Sequence, residues 1–138
     1  MEKTEIIIKD GSTERKFLIN KMSALQAEQW MYRAAFALGG SVDGLQNAFK
    51  GEASDVIHAI LSIPYDKARP LLDDLLACCV LVQGNSLVRL DSESACATIS
   101  SPLTLMKLRI EALRANFGFF FSGDGLTSLL AGDTETRA

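Results

Sequence analysis

Few residues in this chain could make or break bonds, and none stands in a catalytic spacing. His58 is the single histidine. It lies off the centre of the apolar face formed by Val56, Ile57, Ile60 and Leu61, with no nucleophile near it in sequence. A general base needs such a partner within hydrogen-bond reach, so His58 reads as a rim or exposed residue. Asp73 and Asp74 are adjacent, and helical neighbours diverge by about 100°, so they form a solvated face rather than a metal pincer. Cys78, Cys79 and Cys96 show neither CxxC nor metal-ligand spacing. They also lack basic neighbours to lower a thiol pKa, so buried packing in a reduced setting is expected. The glycines form neither GxGxxG nor a phosphate-binding loop followed by lysine. Lys107, Arg109 and Arg114 could touch nucleic acid, but Arg109 projects from a different flank than the other two. The net charge of −3 provides no basic field. The expectation is a protein without catalytic, cofactor-binding or metal-binding residues, not an enzyme, and with no nucleic-acid partner.

The elements that carry these residues read as follows. Glu5–Lys9 and Arg15–Asn20 are β-type segments around the turn sequence Asp10-Gly11-Ser12, with Ile6 and Ile8 facing Phe17 and Ile19. Ser23 and Gln26 fit a capping box. The helix they open has Ala27, Met31, Ala34, Ala35 and Leu38 inward, Trp30 at the border, and Gln26, Gln29 and Arg33 wet. Gly39-Gly40 ends it. Residues 41–52 read as a short helix or a connection. Ser54 is expected to cap a helix to about Ile63. Pro64 precedes another helix to about Cys79, which Pro70 either delays or kinks. Val80–Val82 and Leu87–Leu90 form a second hairpin, and Ser101-Pro102 opens the last helix. The fold class is α+β, predominantly helical, with about four to five helices and one or two short β-hairpins forming a small sheet. Residues 1–121 are expected to form one domain and 122–138 a flexible tail. No run approaches the ~18 apolar residues of a membrane span, so a soluble, intracellular protein is expected.

The last helix has two apolar stripes. One runs Leu103, Met106, Ile110, Leu113, Phe117 and Phe120; the other runs Leu105, Leu108, Ala112, Ala115 and Phe119. At about 100° per residue they sit roughly 150° apart. A surface helix needs one such stripe. Either the helix is sandwiched inside its own domain, or its second face waits for another chain. The bulkier first stripe is expected to face the core. Leu105, Leu108, Ala112, Ala115, Phe119, Phe120 and Phe121 are the candidate partner-binding residues, with the aromatics as anchors. On this reading Leu108→Asp leaves folding largely intact and abolishes association.

Three blocks carry a family resemblance. KFLINKMSALQAEQWMYRAAFAL (16–38), with Met22-Ser23-Ala24 before Gln26-Ala27-Glu28-x-Trp30, resembles the opening of small phage tail assembly chaperones. ARPLLDDLLACCVLV (68–82) resembles their central helix and following strand, and SPLTLMKLRIEALRANFGFFFSG (101–123) their closing helix. Together the blocks cover roughly half the chain, in the family's order. The resemblance implies a non-enzymatic factor in the host cytoplasm that binds the tape measure protein and keeps it soluble. It also implies help in recruiting the tail tube protein, absence from the mature virion, and room for self-association. The competing reading is a structural tail component, a connector or terminator subunit retained in the particle.

Overall fold

In the computed structural model, which describes residues 3–38 and 52–121, the two hairpins join into one antiparallel meander. Strand β1 spans Lys3–Asp10, β2 Thr13–Asn20, β3 Cys79–Gln83 and β4 Ser86–Arg89, in the spatial order β1-β2-β3-β4. Each hairpin closes on a two-residue loop whose first residue is a glycine with positive φ, Gly11 at 65° and Gly84 at 57°. That handedness matches the twist of the strands it joins. Ile6 lies opposite Phe17, Lys16 opposite Val82, and Leu81 opposite Val88.

Helix α1 spans Ala24–Ala37, α2 Ala53–Ile60, α3 Tyr65–Leu76 and α4 Pro102–Phe121. The expected capping box is present at α1: Ser23 Oγ accepts from Gln26 N–H at 3.2 Å, and Gln26 Oε1 accepts from Ser23 N–H at 3.1 Å. At α2 the helix begins one residue before Ser54, and the Asp55 carboxylate accepts from Glu52 N–H instead. Helix α3 begins directly after Pro64 and runs on through Pro70, whose missing N–H leaves only one carbonyl of the first turn without its helical partner.

The predominantly helical expectation is corrected. Among the described residues the chain is about 50% helical and 24% strand, with four helices and one four-stranded sheet. Both helices of the 53–79 region end about three residues earlier than expected. Helix α2 ends at Ile60, and Cys79 starts a strand because its carbonyl accepts from Leu90 N–H across the β3–β4 pair. The first hairpin is longer than expected too, each of its strands running eight residues. The expectations for 41–51 and for the 122–138 tail lie outside the described residues.

The core forms between one face of the sheet and the four helices. Phe17, Ile19, Cys79 and Leu81 come from the strands, Val56 and Ile60 from α2, Leu71 and Leu75 from α3, and Leu108, Leu113 and Phe117 from α4. Each such side chain contributes roughly 1.5–3 kcal/mol of burial. Helix α4 lies across β1 and β2 on one side and touches α2 and α3 on the other. It is the central element. Its start rests on Asp10, a buried carboxylate at the end of β1 that accepts from Ser100 N–H at 2.9 Å, Ser101 N–H at 2.9 Å, Thr104 Oγ1 at 2.9 Å and Arg15 Nε at 2.8 Å. Near its other end Asn116 Oδ1 accepts from Met22 N–H at 2.6 Å, which ties α4 to the junction between β2 and α1.

Candidate functional site

The residues with chemical potential are dispersed. His58 is exposed on α2, and Asp73 is exposed on α3. Asp74 pairs with Arg33 of α1. Cys78 and Cys79 are buried, and burial pushes both thiols up from their ordinary value. They are protonated and inert at neutral pH. Arg109, expected at a wet flank, donates instead to the Leu72 carbonyl at 3.2 Å and ties α4 to α3. Among the described residues no group of three or more His, Cys, Asp or Glu could hold a metal ion, and no helix is long and apolar enough to cross a membrane.

The partner-binding expectation for α4 is corrected at its centre. Leu108 and Ala112 are 0% exposed, and Leu105 and Ala115 are half-buried against the same core. The cause is the position of α4: with the sheet on one side and α2 and α3 on the other, both stripes find cover within the chain. Of the stripe assigned to the core, Leu113 and Phe117 are indeed buried, but Leu103 is 70% exposed at the open start of the helix. What was expected of the Phe119, Phe120 and Phe121 side chains lies outside the described residues.

Among the described residues, α1 is the helix that carries a ridge of exposed large apolar side chains. Leu25, Tyr32 and Phe36 are 62%, 56% and 74% exposed. Their spacing of seven and four residues puts them within about 40° of one another around the helix. Trp30 and Ala34, on the opposite side, are fully buried. The sequence motif around Trp30 is thus an anchor. Its indole stacks on Phe117 at 5.2 Å between ring centroids, and its Nε1–H donates to the Leu71 carbonyl at 3.1 Å. Those contacts fix the rotation of α1 and hold its second apolar ridge out to solvent. Two of the three ridge residues are aromatic, the residue class that dominates interface energetics.

Beside this ridge lies a cleft of about 630 Å³ between α1, the end of α3 and the sheet. Gln26, Gln29 and Arg33 of α1 form one wall, and Lys3, Lys21 and Arg89 bring further positive charge to a lining with one carboxylate, Asp74. The cleft is therefore locally cationic in a chain of net negative charge. An apolar helical ridge with a cationic flank suits an amphipathic segment that carries carboxylates along its edge. The signal for the ridge is in the sequence, in the spacing of Leu25, Tyr32 and Phe36. Ala27, Met31 and Leu38 form a second apolar face that packs half-buried against the core, so periodicity alone does not mark which face stays wet.

Compared with known proteins, the chain matches a family model described as phage tail assembly chaperone protein, TAC, over residues 11–128. Comparisons with curated proteins and with solved structures give no match.

Proposed function

The chain belongs to the phage tail assembly chaperone family, and from that premise we propose that it binds the tape measure protein, keeps it soluble, and helps recruit tail tube subunits. The observation that carries the reading is the Leu25–Tyr32–Phe36 ridge on α1 with its cationic flank. A tape measure helix lays its apolar stripe along the ridge, and its acidic edge faces the cationic cleft beside it. The activity is binding rather than catalysis: a holdase stabilises the soluble client by mass action, with the logarithm of its concentration over the dissociation constant. It acts in the host cytoplasm and leaves before the particle is complete.

Co-expression with the tape measure protein tests this. The wild-type chain is expected to hold the client in the soluble fraction and to co-purify with it. Replacing two central anchors, Tyr32→Asp with Phe36→Asp, is expected to weaken binding by about thirtyfold or more, the effect of losing a hot spot. The melting temperature should stay near that of the wild type, since both side chains are exposed. Unchanged client binding in this double variant would remove the ridge from the proposal, and a client that stays insoluble with the wild type would remove the client. Mass spectrometry of purified particles is expected to find no copy of the chain; a stoichiometric copy would instead make it a structural tail component.

A further inference from the structure

We propose that the free edge of β1 is a self-association site that pairs two copies of this chain into one continuous eight-stranded antiparallel sheet. Among the described residues β1 has a strand on one side only, β2. It is eight residues long with three consecutive isoleucines at its centre. Long flat edges of this kind template pairing with another strand unless charge, proline or shortness blunts them. The opposite edge, β4, is blunted by shortness, at four residues, whereas the charges of β1 flank its isoleucines without interrupting them.

The two-residue turn decides which groups of β1 are free. It makes Asp10 and Thr13 a hydrogen-bonded pair, and alternation along the strand then directs the amides of Ile8, Ile6 and Thr4 toward β2. Asn20 N–H donates across to the Cys78 carbonyl at 2.8 Å, as this alternation requires of the even-numbered residues of β2. The N–H and C=O groups of Glu5, Ile7 and Lys9 therefore point away from the sheet. Their side chains share its uncovered face, where Ile7 is 63% exposed.

A two-fold axis must pair these residues with themselves. Placing Ile7 opposite the partner's Ile7 sets Glu5 opposite the partner's Lys9, and Lys9 opposite the partner's Glu5. A shift by one residue pair in one direction sets Lys3 against the partner's Lys9 and Glu5 against the partner's Ile7. In the other direction Ile7 meets the partner's Lys9. Directly opposed unlike charges stabilise a strand pair and like charges destabilise it, so the sequence of β1 is complementary to itself in one register. In that register the outward groups of the three residues form six main-chain hydrogen bonds.

The surface beside the edge suits the same occupant. A shallow groove of about 300 Å³ runs between β1 and α4, lined by Ile6, Ile7, Ile8 and Ile110 together with Lys107 and Glu111. Pairing at β1 merges the two grooves across the axis. Ile6 comes to lie opposite the partner's Ile8 on the helix side of the joined sheet, in apolar contact.

Sedimentation or light scattering of the full chain alone, over a range from low to high micromolar, tests the assignment. The wild type is expected to be dimeric at the upper end. Ile7→Lys puts two ammonium groups on the axis and should give a monomer. Glu5→Lys and Lys9→Glu should each raise the dimer dissociation constant about tenfold or more, and the double variant carrying both changes should restore it. A wild type that is monomeric throughout overturns the proposal. So does a dimer indifferent to Ile7→Lys, or a double variant that melts like the wild type yet stays monomeric. No client is present in the experiment, so its outcome is separate from that of tape measure binding.

Discussion

Asp10→Ala is expected to destabilise the fold by about 3–5 kcal/mol, the usual cost of removing one partner from a buried charged network. Total stabilities of such domains are about 5–15 kcal/mol, so this single side chain holds a large share. Asp10 joins two distant parts of the chain: the first hairpin, through Arg15, and the start of α4, through Ser100, Ser101 and Thr104. Removing the carboxylate leaves the Arg15 Nε–H, the Thr104 hydroxyl and two main-chain amides without their acceptor. Burial is the largest influence on its pKa and pushes it up. The hydrogen bonds from Ser100, Arg15, Thr104 and Ser101 together outweigh burial and hold the carboxyl well below the usual range. A depressed folded-state value means that the contribution is complete above the unfolded carboxylate value near about 3.9. It is lost as pH falls from there toward the folded value. Chemical denaturation of both proteins at neutral pH and near about pH 3 checks the two statements together: a large gap when neutral, a smaller one in acid. A loss below about 1 kcal/mol at neutral pH, the worth of an exposed ion pair, would make Asp10 a surface residue in effect.

Leu108→Asp is expected to abolish cooperative folding, the reverse of what the helix pattern suggests. Leu108 is fully buried at the middle of α4, its carbonyl 3.6 Å from the Cys79 thiol sulfur. The substitution forfeits about 1.5–3 kcal/mol of burial and places a carboxyl in an apolar site, at a further cost of several kcal/mol even if it takes up a proton. Together these approach the whole stability of a small domain. Leu103→Asp, five residues earlier on the same helix and exposed, should change stability by no more than about 0.5 kcal/mol. Circular dichroism melts of the pair make the comparison directly. A cooperative Leu108→Asp melt close to the wild type would falsify the central position of α4.

Several features were legible from local chemistry. Ser23 and Gln26 cap α1 as their spacing indicates, and the turn at Gly11 places the first hairpin. The family resemblance in three blocks agrees with the family model over 11–128. These are short-range matters: a cap, a turn or a motif is written within a few residues, and its physics is complete there. Element ends were less legible. Whether Cys79 extends a helix or begins a strand depends on a hydrogen bond from Leu90, eleven positions away.

The helix from Ser101 onward shows where local reading stops. Its two apolar stripes are a property of the sequence alone, and so is the choice they pose between internal cover and an external partner. Only the tertiary structure decides between those, because cover is a matter of neighbours. The sheet and two helices close over α4, while the Trp30–Phe117 stack turns the outer ridge of α1 to solvent. Helical periodicity says which side chains share a face. What lies against that face is set by contacts between residues as distant as Trp30 and Phe117, which no window of local sequence contains.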